Sequence, residues 1–363
     1  MRHCHHLLSL LLLLLLTAAG IAAEPTIDIA FLTVEQARAA IVDESVEPYF
    51  SLLQPQEMST KTGAAITGAT LAEQRDVCRK RYQAAVGGFS AAEQAGLTGV
   101  VAAVQPFLVE HYPRFAAEPW RFIKLGSALE GGMPHTRGHC IVLSDAVMPM
   151  LLGGGKPGAN PVGIMLLVHE QTHVVQRLHP ELFAPLYTEA WGLVRMAKAP
   201  APVDGLLAHQ LVNPDGIACV WAFPVDTGGR DELVQPQVIL GSDAEVPRMP
   251  QDFAVVALTV ERRGDAYAYV LDEQGRPRSR PLAQVAAYID AFAPSEENFH
   301  PNEICAELFS RQVVLDLLGR KTEETPCQQA LRAWAATRLG STAGAQAPLK
   351  RMTAPAPHPA VSH

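Results

Sequence analysis

Leu166-Leu167-Val168-His169-Glu170-Gln171-Thr172-His173-Val174-Val175 is the stretch from which the rest of the chain is read. It holds two histidines four residues apart, with a glutamate beside the first. On an α-helix such residues lie about 40° apart around the axis, so both imidazoles point to one side. That spacing suits two nitrogens on one tetrahedral Zn2+. Glu170 is placed to reach a water at the metal and act as general base. No other charged side chain and no proline interrupts residues 166–175. The apolar run leading into the motif predicts a helix buried behind an active site. Its expected span is Pro161 to Leu178. Pro161 suits a first helical position, where a missing N–H costs nothing, and Pro180 closes the helix.

Two histidines need a third ligand. His179 stands ten residues after His169, at the spacing of HExxHxxGxxH. The glycine of that pattern lets the chain turn sharply back to the metal, but this sequence has Gln176 there. A continued helix carries His179 about 240° past His173, so a helix-end role is expected for it. The other candidate lies in His300-Pro301-Asn302-Glu303-Ile304-Cys305-Ala306-Glu307. Glu303 and Glu307 share one face of a helix expected over Pro301–Leu318. One carboxylate can bind the metal and the other can hold a ligand histidine by a hydrogen bond. Cys305 lies on the same helix but roughly 200° away, so a buried thiol is expected.

Together these residues resemble the gluzincin-type zinc metallopeptidases, which combine HExxH with a glutamate from a later helix. The resemblance covers His169–His173 and Glu303–Glu307 with their flanks. It implies that His169, His173 and Glu303 are zinc ligands, Glu170 is the catalytic base, and Glu307 supports the ligands from behind. It also implies an edge strand ahead of the zinc helix, where a peptide substrate pairs by β-augmentation. Cys140 to Ser144 is in the right order for that strand, and His135–His139 before it can line the cleft. The oxyanion donor stays open among Tyr187, His209, Tyr269, Tyr288 and His300. The gap of 130 residues between His173 and Glu303 is long, and no subfamily matches its filling.

Working outward, residues 24–130 read as mostly helical. Thr33 and Gln36 form an expected capping box, and helical spacing recurs over Leu71–Val86 and Ala91–His111. Gly153–Gly158 reads as a loop, and Leu182–Met196 as a helix. Residues 205–285 change character. Val220–Phe223, Val238–Leu240, Phe253–Val260 and Tyr267–Leu271 read as strands, the last two joined by a turn at Arg263-Gly264-Asp265. Residues 341–363, rich in Ala, Pro and Thr, read as a disordered tail. The expected fold class is α+β: a zincin-like catalytic core over residues 24–340, mostly helical, with a β-rich insertion between the two metal-ligand helices.

At the N-terminus Arg2 precedes an apolar run, Leu7–Leu16, broken only by Ser9. Gly20 and Ala22 suit a small-x-small cleavage site. Residues 1–23 are therefore expected to be a signal peptide, and the protein secreted or periplasmic. The run is shorter than the roughly 20 apolar residues a membrane span needs, so no stable membrane insertion is expected after cleavage. Export permits disulfides, but the odd number left (Cys78, Cys140, Cys219, Cys305, Cys327) leaves at least one cysteine without a partner in the chain. The 363 residues carry 29 Lys and Arg against 37 Asp and Glu, a net charge of −8 that argues against nucleic acid as a partner. A 48% hydrophobic share provides a core and excludes a disordered chain. The expected function is a zinc hydrolase of peptide or protein substrates. The alternatives are a non-catalytic metal-binding protein on the same scaffold and an amidase of non-peptide substrates.

Overall fold

A computed structural model describes residues 27–153, 160–218, 220–226, 231–293, 295, 297–340 and 352. The expected signal peptide, most of the Gly153–Gly158 loop, Cys219 and all of the tail but Met352 lie outside the described residues. The Met352 amide donates to Ala190 O at 2.8 Å. In chain order the elements are β1 (Ile29–Phe31), α1 (Val34–Ala40), α2 (Pro55–Thr62), α3 (Leu71–Ala85), β2 (Val86–Gly87), α4 (Ala91–His111), α5 (Pro113–Ala116), β3 (Trp120–Leu125), β4 (His135–Arg137), β5 (Cys140–Ser144), α6 (Met148–Leu151) and α7 (Pro161–Leu178). There follow α8 (Pro180–Pro185), β6 (Val194–Arg195), α9 (Asp204–Leu207), β7 (Trp221–Asp226), β8 (Asp231–Leu240), β9 (Phe253–Arg263), β10 (Ala266–Tyr269), β11 (Ser279–Pro281), α10 (Ala286–Phe292), α11 (Pro301–Leu317) and α12 (Pro326–Trp334).

The class is mixed α+β. Helix takes 46% and strand 19%, so helices dominate but two sheets organise them. The first sheet runs β1-β3-β5-β4, with β2 beside β3. Strand β5 is buried throughout, and its alternation feeds two cores. Ile141 and Leu143 join the cluster under α4, α7 and α11, whereas Cys140 and Val142 join the one under α1 to α3. The second sheet runs β10-β9-β8-β7-β6, with β11 also on β9, and occupies the chain between α7 and α11. Gly264, at φ +63°, makes the β9–β10 turn.

Helix α7 spans Pro161–Leu178, as its pattern predicts. Asn160 accepts the Val162 amide at its start, and His179 caps its end. Gly163 lets α6 approach: a Cβ there would stand 2.4 Å from Leu151 O. Helix α11 packs along α7. The capping box Thr33–Gln36 is present.

The stretch before residue 130 is mostly helical, as expected, but it also holds β1, β2 and β3 of the first sheet, with β3 between β1 and β5. Two expectations need correction. The helix expected over Leu182–Met196 stops at a π-helical turn, Leu186–Ala190, because Gly192 takes a left-handed φ of +76° before β6. Cys140–Ser144 is an interior strand, flanked by β3 and β4, and the edge belongs to β4. That edge is already occupied. Asp215 Oδ1 accepts the Thr136 amide at 2.8 Å, and the Arg137 guanidinium donates to Thr136 O at 3.0 Å. Cys78, Cys140, Cys305 and Cys327 are buried free thiols. Among the described residues no helix is long and apolar enough to cross a membrane.

Candidate metal centre

Helix α7 turns His169 and His173 to the same side, toward the first turn of α11. His173 Nε2 lies 3.0 Å from His169 Nε2. Glu303 Oε2 lies 3.2 Å from His173 Nε2 and 3.5 Å from His169 Nε2. Two ligands each about 2.0–2.1 Å from one tetrahedral zinc sit about 3.3–3.4 Å apart, and the three separations straddle that value. This trio is the group of His, Cys, Asp and Glu among the described residues whose ligand atoms converge closely enough to hold a metal ion.

The ligands are held from behind. His173 Nδ1 donates to Gln176 Oε1 at 2.8 Å. The Gln176 amide nitrogen donates to the Asn302 carbonyl at 3.0 Å, which fixes the orientation of the amide and therefore the histidine tautomer. It also donates to the Tyr187 hydroxyl at 3.0 Å. Asn213 Nδ2 donates to Glu303 Oε1 at 2.6 Å, leaving Oε2 to face the imidazoles. Residues 212–216 are pinned along their length. The Val212 amide donates to Glu57 at 2.6 Å, Pro214 O accepts from Arg177 at 2.8 Å, and Asp215 O accepts from Asn302 at 2.9 Å.

Electrostatically the site calls for positive charge. Burial disfavours a charged His173, but Glu303 beside it wins and raises its pKa to about 10. His169 moves upward too, burial again being outweighed by Glu303. Burial would raise Glu303, yet His173 and His169 hold it well below the ordinary carboxylate range. Glu170 goes the other way. Burial lifts it to about 8, with His169 opposing and Asp215 assisting. Its Oε2 is buried without a hydrogen-bond partner. Such an oxygen is available to a water or a substrate.

His169, Glu170 and Glu303 open onto a cavity of about 680 Å³, within the range of small-molecule sites. Of the five oxyanion candidates, His300 lines it. The Tyr187, Tyr269 and Tyr288 hydroxyls are spent on Asn302, Gln235 and Asn298. His179 caps α7 and pairs with Glu118 at 2.7 Å, as a helix-end residue should.

Glu307 does not hold a ligand histidine. Its carboxylate accepts from the Ser295 hydroxyl at 2.7 Å, the Glu297 amide at 3.1 Å and Arg311 at 2.6 Å. Four residues advance a helix by about 6 Å, which carries Glu307 past the imidazoles to the loop before α11. That loop brings Glu297 to 3.6 Å from His169 Nε2. Sequence reasoning missed Asn213, Gln176, Asp215 and Glu297. Asn213-Pro214-Asp215-Gly216 reads only as a turn, and no local signal ties it to a residue 90 positions away.

No protein-family model, curated protein or solved structure matches this chain.

Proposed function

We propose that this protein is an exported metallohydrolase that cuts peptide bonds, with zinc held by His169, His173 and Glu303 and with Glu170 as the general base. The observation that carries the reading is the convergence of the three donors at 3.0–3.5 Å beside an unpartnered Glu170 oxygen at the end of a large cavity. The core is read as gluzincin-like, because HExxH lies on one helix and the third donor in the first turn of a later helix packed beside it. Export rests on the Leu7–Leu16 run and the small residues after it.

Bound zinc supplies a Lewis acid that polarises a carbonyl and acidifies water. The rest falls to the chain. Glu170 takes the proton of the attacking water and returns it to the leaving amine. Its buried Oε2, with no hydrogen-bond partner of its own, is free to carry that proton between the two steps. His300, buried at the cavity wall, is the candidate donor to the developing oxyanion. Gln176 and Asn213 keep the ligands from turning.

One observation favours a second reading. Glu297 stands close enough to His169 to supply a fourth ligand, and a closed four-ligand site would bind metal without catalysis.

Metal content and peptide cleavage separate these. The wild type should bind one zinc per chain, lose it in Glu303→Ala and keep it in His179→Ala. Peptide cleavage should vanish in Glu170→Gln with zinc still bound. Absence of zinc after reconstitution would overturn the reading. Bound zinc with no cleavage by the wild type, and restored cleavage in Glu297→Ala, would favour the closed site.

A further inference from the structure

The cavity that opens on His169 and Glu170 has a second wall for which the proposed chemistry has no use. It comes from the second sheet. In the β8–β9 register Val238 stands opposite Val255, and Leu240 opposite Phe253. Side chains alternate along a strand, so Val238, Val255 and Phe253 share one face. Farther along that face Val234 and Ala257 are buried in the main core. Toward the cleft the face emerges into half-buried Val238 and then Val255, which is 36% exposed. The side chains nevertheless stay apolar, where a solvated sheet face ordinarily turns polar. Met133 and Met165, each 37% exposed, and Met249 line the same cavity.

The closed edge of β4 bears on how a peptide is held. Thr136 has its amide and carbonyl taken by Asp215 and Arg137, and Gly138 O accepts from Arg177 at 3.0 Å. Main-chain pairing along that stretch is therefore spoken for, and affinity falls to substrate side chains.

We propose that the substrates of this site are peptides with a bulky aliphatic or aromatic side chain beside the bond to be cut, and that the β8–β9 face and the three methionines form the pocket for it. This rests on the hydrolase reading above for the reaction, and on the cavity alone for the pocket. Three flexible thioethers make the pocket adaptable, so Leu, Met and Phe are accepted alike. An acidic side chain is rejected, because it would lose its hydration beside Glu170 and Glu297.

The test is calorimetric titration of zinc-loaded, full-chain Glu170→Gln protein with acetylated, amidated pentaalanine whose central residue is Phe, Ala or Glu. The Phe peptide should bind about 10- to 100-fold more tightly than the Ala peptide, and the Glu peptide most weakly. Val255→Asp and Met165→Asp, both at exposed positions, should each abolish the preference for Phe. Equal binding of the Phe and Ala peptides, or a preference that survives both substitutions, overturns the proposal. Cleavage is read separately on zinc-loaded wild type. A Phe peptide that binds with the stated preference but stays intact sinks the hydrolase reading and leaves the pocket standing.

Discussion

Asn213 Nδ2 donates to Glu303 Oε1 at 2.6 Å, and this bond aims the other carboxylate oxygen at His169 and His173. Residues that orient a metal ligand typically cost 10- to 100-fold in metal affinity when removed. Asn213→Ala should therefore weaken zinc binding by about that factor, read by competition with a chromogenic chelator. Asn213→Asp should lose more, because it sets a second carboxylate against Glu303. A zinc affinity unchanged in Asn213→Ala would show that Glu303 is held by other means.

Glu307 provides the contrast. Its carboxylate spends its bonds on Ser295, Glu297 and Arg311. Glu307→Gln should then leave zinc affinity within about threefold of the wild type, well short of the loss expected at a ligand's own partner. A tenfold loss would return Glu307 to the role that its spacing from Glu303 suggests.

The two glutamates mark how far periodicity carries. Helices α7 and α11 and the side-by-side placement of His169 and His173 are legible because 3.6-residue spacing, Pro161, Pro301 and Pro180 act locally. The partner of Glu307 is not legible, since two residues on one face of a helix differ in axial position by more than a hydrogen bond spans. Strand β3 was hidden between helical stretches. Trp120–Leu125 mixes four apolar residues with Arg121 and Lys124, and such a short mixed stretch fits a helix turn as well until β1 and β5 pair with it. Asn213 is beyond reach because it acts across the fold on Glu303, and Gln176, though one turn from His173, has its amide oriented by Asn302 and Tyr187, which tertiary contact brings near.

Lys61 supports a prediction about stability. It is 2% exposed and donates to the Tyr49 hydroxyl at 2.7 Å and to Val212 O at 2.8 Å. Glu130 and Glu57 lie 3.4 and 3.6 Å from its ammonium. Removing the cation leaves the buried Glu57 carboxylate without its ion-pair partner, while Glu130 keeps Arg137 at 2.9 Å. Lys61→Met should cost about 3–5 kcal/mol in urea unfolding. The double variant Lys61→Met/Glu57→Gln should be more stable than Lys61→Met, since one orphaned charge is gone. A double variant no better than the single would mean that lost packing, not the stranded charge, sets the cost.

Glu44 supplies the pH dependence. Its carboxylate accepts the Tyr49 amide at 2.7 Å, the Ser51 amide and hydroxyl at 2.9 Å, and Arg79 at 2.8 Å. Burial alone would raise its pKa, but these donors outweigh it and hold the group at about 2, against 4.5 for an unperturbed glutamate. A folded-state pKa below the unfolded one stabilises the protein at pH values above the unfolded pKa, and that contribution is lost as pH falls toward the folded pKa. Arg79 and Glu44 are only 28% and 21% exposed, so solvent screening trims the value rather than erasing it. The contribution is roughly 2–3 kcal/mol at neutral pH. Glu44→Gln should therefore be less stable than the wild type by about that amount at pH 6, and the gap should shrink to less than about half by pH 3. Urea titrations of the two proteins at both pH values measure it. A gap that stays constant between pH 6 and pH 3 would mean that Glu44 is not the group whose protonation weakens the N-terminal helices in acid.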